Sequence, residues 1–110
     1  VSDLRNQYLS ARRPVIATVD VPAWGSVKIR AVTQEEVERC GEVAKSDPTQ
    51  AAILGVVLMV CDDQGDPVFT EADLSALKSS APLATIKAIN EAALQAIGIT
   101  PEKIEDAKKN

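Results

Sequence analysis

The residues best suited to do chemistry lie in one acidic stretch, Cys61-Asp62-Asp63-Gln64-Gly65-Asp66-Pro67-Val68-Phe69-Thr70. That chemistry would be cation binding, since hard divalent ions take carboxylate oxygens and a calcium loop needs glycine at its sharp sixth position. With Gly65 in that place, Asp62 falls at the third position and Glu71 at the twelfth. Position one is then Val60, which offers no ligand atom, and Gln64 replaces the usual carboxylate at position five. The stretch therefore reads as a polar turn, in which glycine supplies a positive φ and the aspartates favour the bend. Other repertoires lack their parts. The 110 residues hold no histidine, which removes Ser-His-Asp and Cys-His pairs and any histidine-ligated metal. Cys40 and Cys61 are too few for a four-thiolate zinc site, and no glycine-rich phosphate loop occurs. The expectation is a protein that is not an enzyme, with no metal site and no cofactor.

Asp73-Leu74-Ser75 has the residue types of the Asp-Ser-Leu at which acyl carrier proteins take phosphopantetheine. The order differs, because the serine follows the leucine instead of opening the next helix. An acyl-carrier-like role with Ser75 modified stands only as an alternative.

Composition narrows the partners. The formal net charge is −4, so binding to a phosphate backbone is not supported and no nucleic acid is expected. The charge is unevenly spread. Residues 1–30 carry five basic side chains against two acidic ones, and residues 31–73 carry two against ten. A basic head and an acidic middle can attract each other within one molecule or between stacked copies, or simply be solvated. Tyr8, Trp24 and Phe69 are the three aromatic residues, so the core must be aliphatic and rich in alanine. The first five residues include the charged Asp3 and Arg5 and lack an apolar signal region, and the longest apolar run, 51–61, is too short to span a bilayer. Reduced cysteines, a cytoplasmic setting and no membrane partner are expected.

The elements that must position these residues follow from periodicity. A single domain is expected over 1–110, with an N-terminal helix in 1–13, a β-hairpin in 15–32 and a helical remainder in 33–110. The fold class is therefore mainly α with an N-terminal hairpin (α+β), with about five helices around a small aliphatic core. Ser2 can cap the first helix, which places Leu4, Tyr8 and Ala11 on one face. Val15, Ala17, Val19 and Val21 alternate with Ile16, Thr18 and Asp20, and Val27, Ile29 and Ala31 alternate with Lys28 and Arg30. Pro22-Ala23-Trp24-Gly25 joins the two runs. Such a hairpin is marginal alone, so it must pack on helices, gain a third strand or pair with another molecule.

Thr33 and Glu36 form a capping box ahead of a helix with Val37, Cys40, Gly41 and Ala44 on one stripe. Asp47-Pro48 breaks that helix, and Thr49 is the next plausible cap. The run 51–61 is apolar all round; its valines favour strand, while its length and flanking cap favour helix, the assignment preferred. Thr70 caps a short helix with Leu74 and Leu77. The longest helix opens at 80–82 and runs to about Ile97, with Leu83, Ile86, Ile89, Ala93 and Ile97 on one side and Lys87, Glu91 and Gln95 opposite. Gly98 stops it, and Thr100-Pro101-Glu102 starts a last helix with Ile104 and Ala107.

Two motifs together carry a family resemblance. They are the Val21-Pro22-Ala23-Trp24-Gly25 loop and the later Asp63-Gln64-Gly65-Asp66-Pro67-Val68-Phe69-Thr70 turn with Asp73 beyond it. In order and spacing, the chain resembles the tail assembly chaperones of long-tailed bacteriophages, in their short, non-frameshifted form, over about 15–110. It departs from them at Ala23, where an acidic residue is frequent, and at Ile97 before Gly98, where asparagine often stands. The resemblance implies binding of the long helical tape measure protein, which is kept soluble and extended during tail tube assembly. It also implies self-association into oligomers or spirals, contact with the tail tube protein through a longer frameshifted form, residence in the host cytoplasm, and absence from the mature virion. A structural virion subunit is the alternative from another class.

The family has no firm binding motif, so candidate partner-binding residues come from the stripe of the longest helix: Leu83, Ile86, Asn90, Ala93 and Ile97. Asn90 is polar within that stripe and needs a hydrogen-bond partner if buried, either across helices within the fold or on a bound partner. Trp24 is added as a partner anchor, since tryptophan is frequent at binding hot spots. It could equally lock the hairpin onto the helices, which is the preferred role.

Overall fold

Alternating side chains build the hairpin where the sequence places it. In the computed structural model, which describes residues 2–11 and 13–96, β1 is Val15–Val21 and β2 is Gly25–Arg30. They pair antiparallel with Val19 opposite Val27 and Val21 opposite Gly25, and a bulge shifts the register between Val15 and Ala17. Along β1 exposure alternates residue by residue, and on β2 Val27 and Ile29 are buried. The connection bends sharply. Trp24 N–H donates to Pro22 O at 2.9 Å across Ala23, which takes a φ of +70°.

The hairpin gains both supports that it needs within one chain. A two-residue strand β3, Val60–Cys61, pairs antiparallel with β2, so the sheet order is β1-β2-β3 with β2 central. Five helices and one 3₁₀ turn make up the rest of the regular structure among the described residues. The first, α1, is Ser2–Ser10. Then come α2, Gln34–Ser46, and α3, Pro48–Met59. A 3₁₀ turn, Glu71–Asp73, leads into α4, Leu74–Ser80, and α5 is Leu83–Ala96. The stop at Gly98, the helix from Thr100 and the candidate Ile97 lie outside the described residues.

Local chemistry explains the boundaries. Thr33 Oγ1 accepts from Glu36 N–H at 3.2 Å while Glu36 Oε1 accepts from Thr33 N–H at 3.0 Å, so the capping box that opens α2 is complete. The cap of α3 is Asp47, not Thr49: its carboxylate accepts from Gln50 N–H at 3.0 Å, and Pro48 occupies the first turn where its missing N–H costs nothing. One residue thus ends α2 and starts α3. The apolar run 51–61 is helix through Met59, and only its last two residues are strand. Pro82 O receives the N–H groups of Thr85 and Ile86 at the head of α5.

The core lies between the sheet's inner face, α3 and α5. Ile29, Val56 and Ile89 are fully buried, and Ile53, Val57, Val60, Leu77 and Ile86 pack around them. Burial of each such side chain contributes about 1.5–3 kcal/mol. Thr85, also fully buried, donates its hydroxyl to Pro22 O and ties α5 to the hairpin turn. The first helix differs from the rest. Every residue from Asp3 to Ala11 is exposed, so the predicted Leu4–Tyr8–Ala11 face meets solvent and no core.

Candidate functional site

Helix α2 contributes no buried residue, although it is amphipathic and packs beside α3. Its apolar stripe instead forms one wall of an open groove of about 190 Å³. Val37 and Cys40 supply that wall. Gly55, Leu58 and Met59 of α3 form the floor, and Asn90, Ala93 and Leu94 of α5 form the far wall. Val37 is 44% exposed and Leu94 is 38% exposed, so large apolar side chains stand open at both lips.

Small residues let the floor come close to α5. At Gly55 an added Cβ would lie 2.7 Å from Asn90 Oδ1 and 3.1 Å from Met59 Cε. The Asn90 amide lies against that glycine, and its Nδ2 donates to Ala52 O at 3.0 Å on α3 and to Ile86 O at 2.9 Å on α5. This is the interhelical bond expected for a polar residue in that stripe.

The groove is nearly uncharged. Its one carboxylate, Glu36, is bound by the Arg13 guanidinium at 2.6 Å. Burial pushes the Glu36 carboxyl up, but the Arg13 hydrogen bond, the Thr33 N–H and the charges of Arg13 and Arg30 outweigh it, and it lies below the ordinary value. Burial, and secondly the charge of Glu36, raise the Cys40 thiol, which therefore stays protonated and behaves as a small apolar group. The lining is thus mostly apolar. It can take the apolar face of another chain.

The stripe chosen from the sequence is divided by the fold. Asn90 and Ala93 reach the groove, Ala93 only as its buried wall. Ile86 is 5% exposed and belongs to the core, because α5 lies against both β1 and α3. Leu83 is 72% exposed at the mouth of a second hollow, beside Leu77, Lys78 and Lys87. Trp24 packs on Phe69, with ring centroids 5.7 Å apart and planes tilted by 40°, and is half-buried against the core. That contact locks the turn to the segment before α4. Sequence reasoning missed Leu58 and Met59, which an all-apolar run cannot assign to a face. The α2 stripe was visible, but nothing in its spacing says that it stays uncovered.

The acidic turn is held together by its own groups. Asp62 Oδ1 accepts from the N–H groups of Gln64 at 2.9 Å and Asp66 at 3.0 Å, Asp63 pairs with Lys28, and Gly65 has a φ of +83°. Among the described residues no three His, Cys, Asp or Glu side chains are grouped to hold a metal ion. Ser75 lies exposed in α4, one residue past the start of that helix. No helix among the described residues is long and apolar enough to cross a membrane.

No protein-family model matches this chain, and no curated protein matches it. Among solved structures it is similar to the tail assembly chaperone of bacteriophage HK97, with a TM-score of 0.57 and 22% sequence identity. The likeness covers 92% of this chain and 97% of that one. At this identity the likeness is one of fold. Over most of its length the chain therefore shares the fold of that solved structure.

Proposed function

We propose that the chain is a tail assembly chaperone that binds the tape measure protein through the α2/α3/α5 groove. It keeps that protein soluble and extended while the tail tube forms, in the host cytoplasm, and it leaves before the virion is complete. The observation that carries this reading is the shared fold along nearly the full length of both chains. The groove supplies a physical means. An amphipathic helix lays its apolar side into a hydrophobic groove through residues spaced three and four apart. Flexible, unbranched Met59 and a nearly uncharged lining suit many such helices instead of one sequence. The partner residues in this reading are Val37, Cys40, Leu58, Met59 and Leu94, with Asn90 and Ala93 beneath them. Trp24 and Leu83 lie on other surfaces. Self-association, and contact of a longer frameshifted form with the tail tube protein, belong to the same proposal.

Co-expression with the tape measure protein tests it. The soluble fraction of that protein rises with this chain present, the two co-purify, and purified virions lack this chain. Unchanged insolubility would count against a chaperone, and persistence in purified particles would favour a structural virion subunit.

A further inference from the structure

The hollow at Leu83 is a surface of its own, yet it shares one side of α5 with the groove. Leu83, Lys87, Asn90 and Leu94 follow one another at spacings of four, three and four, so they stand in a row along that helix. Asn90 and Leu94 line the groove, while Leu83 and Lys87 line the hollow of about 310 Å³. Helix α3 serves both, with Gly55 and Met59 in the first and Ala52 in the second. From Leu94 to Leu83 the row spans about three turns, or about 16 Å. A helix seated in the groove along α5 therefore passes Asn90 and reaches the hollow. We propose that the hollow is a second contact for the tape measure helix held in the groove, and that Lys78 and Lys87 there take carboxylates of that helix. This rests on the proposed function.

The two ends of the row differ in charge, and the difference states what the partner must carry. In the groove the one carboxylate, Glu36, is held by Arg13, so apolar side chains are what fits. The hollow has Leu83, more exposed than any other large apolar side chain among the described residues, together with Lys78 of α4 and Lys87 of α5. No acidic side chain among the described residues lines it. Arg13, Lys28, Arg39 and Lys45 make ion pairs, whereas among the described residues Lys78 and Lys87 make none. An apolar contact beside two unpaired cations suits the end of an amphipathic helix that carries acidic residues. Two turns separate Lys87 from Leu94, so the carboxylates belong about two turns beyond the apolar residues that fill the groove. The partner segment is thus an amphipathic helix whose apolar stripe ends in acidic residues.

Overlapping synthetic peptides of about 25 residues, long enough to span both contacts as helices, tile the tape measure protein and serve as probes. The tightest-binding one carries acidic residues just past its apolar stripe. Its affinity falls about tenfold in Lys78→Glu with Lys87→Glu, and severalfold in Leu83→Ser. Replacing the peptide's acidic residues by lysine weakens its binding to wild type by a similar factor and restores its binding to the charge-reversed protein. All three changed side chains are exposed, so these variants keep the fold, and their melting temperatures check it. Peptide binding that Val37→Lys with Leu94→Lys weakens, but that is indifferent to the changes at 78, 83 and 87, ends this inference and leaves the chaperone reading standing. Charge reversal that weakens binding with no rescue by the lysine-bearing peptide ends it too. If no peptide binds wild type, both readings fall.

Discussion

Asn90 lies across Gly55, with Oδ1 where a side-chain carbon on that glycine would come within 2.7 Å. The contact joins α5 to α3 at the floor of the groove, and the two bonds donated by Nδ2 hold the amide in place. Replacing a helical glycine by alanine ordinarily gains about 1 kcal/mol. Here Gly55→Ala is expected to destabilise by about 1–2 kcal/mol, because the amide must leave its bonded position. In an Asn90→Ala background the same change becomes neutral or stabilising. Urea denaturation of the four proteins checks it, and a purely additive cycle would deny the coupling.

Ile86 and Leu83 share a helix but not an environment. Ile86→Asp puts a carboxylate in the core and should cost at least about 3 kcal/mol, enough to abolish the folded state or nearly so. Leu83→Asp should change stability by no more than about 0.5 kcal/mol. Circular dichroism during thermal unfolding separates the two. Retained helicity and melting temperature in Ile86→Asp would show that α5 does not bury that side chain.

Ala23 occupies the left-handed region at φ +70°, where a Cβ costs about 1–2 kcal/mol. Ala23→Gly relieves this but loosens the unfolded chain, so a net gain of about 0.5–1 kcal/mol is expected. The chemical denaturation midpoint reports it. A loss of stability would mean that the turn is not held in this conformation.

Glu36 links stability to acidity. Its folded-state value lies below the ordinary 4.5, because Arg13 and the Thr33 N–H stabilise its charged form more than burial penalises it. The unfolded chain therefore binds that proton more readily. The contribution is fully present above the ordinary glutamate value and is lost as pH falls through the lower folded-state value. Between about pH 5 and pH 3 wild type should lose more stability than Glu36→Gln. Parallel curves for the two proteins would contradict the role of the ion pair.

Much of this architecture was legible in the sequence because local rules and tertiary context agree. Period-two alternation pointed to the hairpin, and the Thr33–Glu36 box marked the start of α2. The third strand was not legible, since Val60 and Cys61 end a uniformly apolar run whose helix-to-strand switch depends on pairing with β2. Asp47 was read as a breaker only, although a short acid before proline is also a cap. The site was legible in part. A stripe on α5 names residues that face inward, and inward residues serve the core first, as Ile86 does. The open groove lies where α2 fails to close over α3 and α5, a property of helix placement that no single helix's pattern contains.

In the proposed function the groove holds an apolar helix of the tape measure protein. The most direct measurement is the affinity of purified chain for tape measure fragments, compared with the Val37→Lys, Leu94→Lys variant, whose changes fall on exposed lips. Each lysine removes about 1–3 kcal/mol of apolar contact, so binding should weaken at least tenfold while helicity and melting temperature hold. Equal affinity in the two proteins, with both folded, would show that the tape measure protein binds elsewhere or not at all.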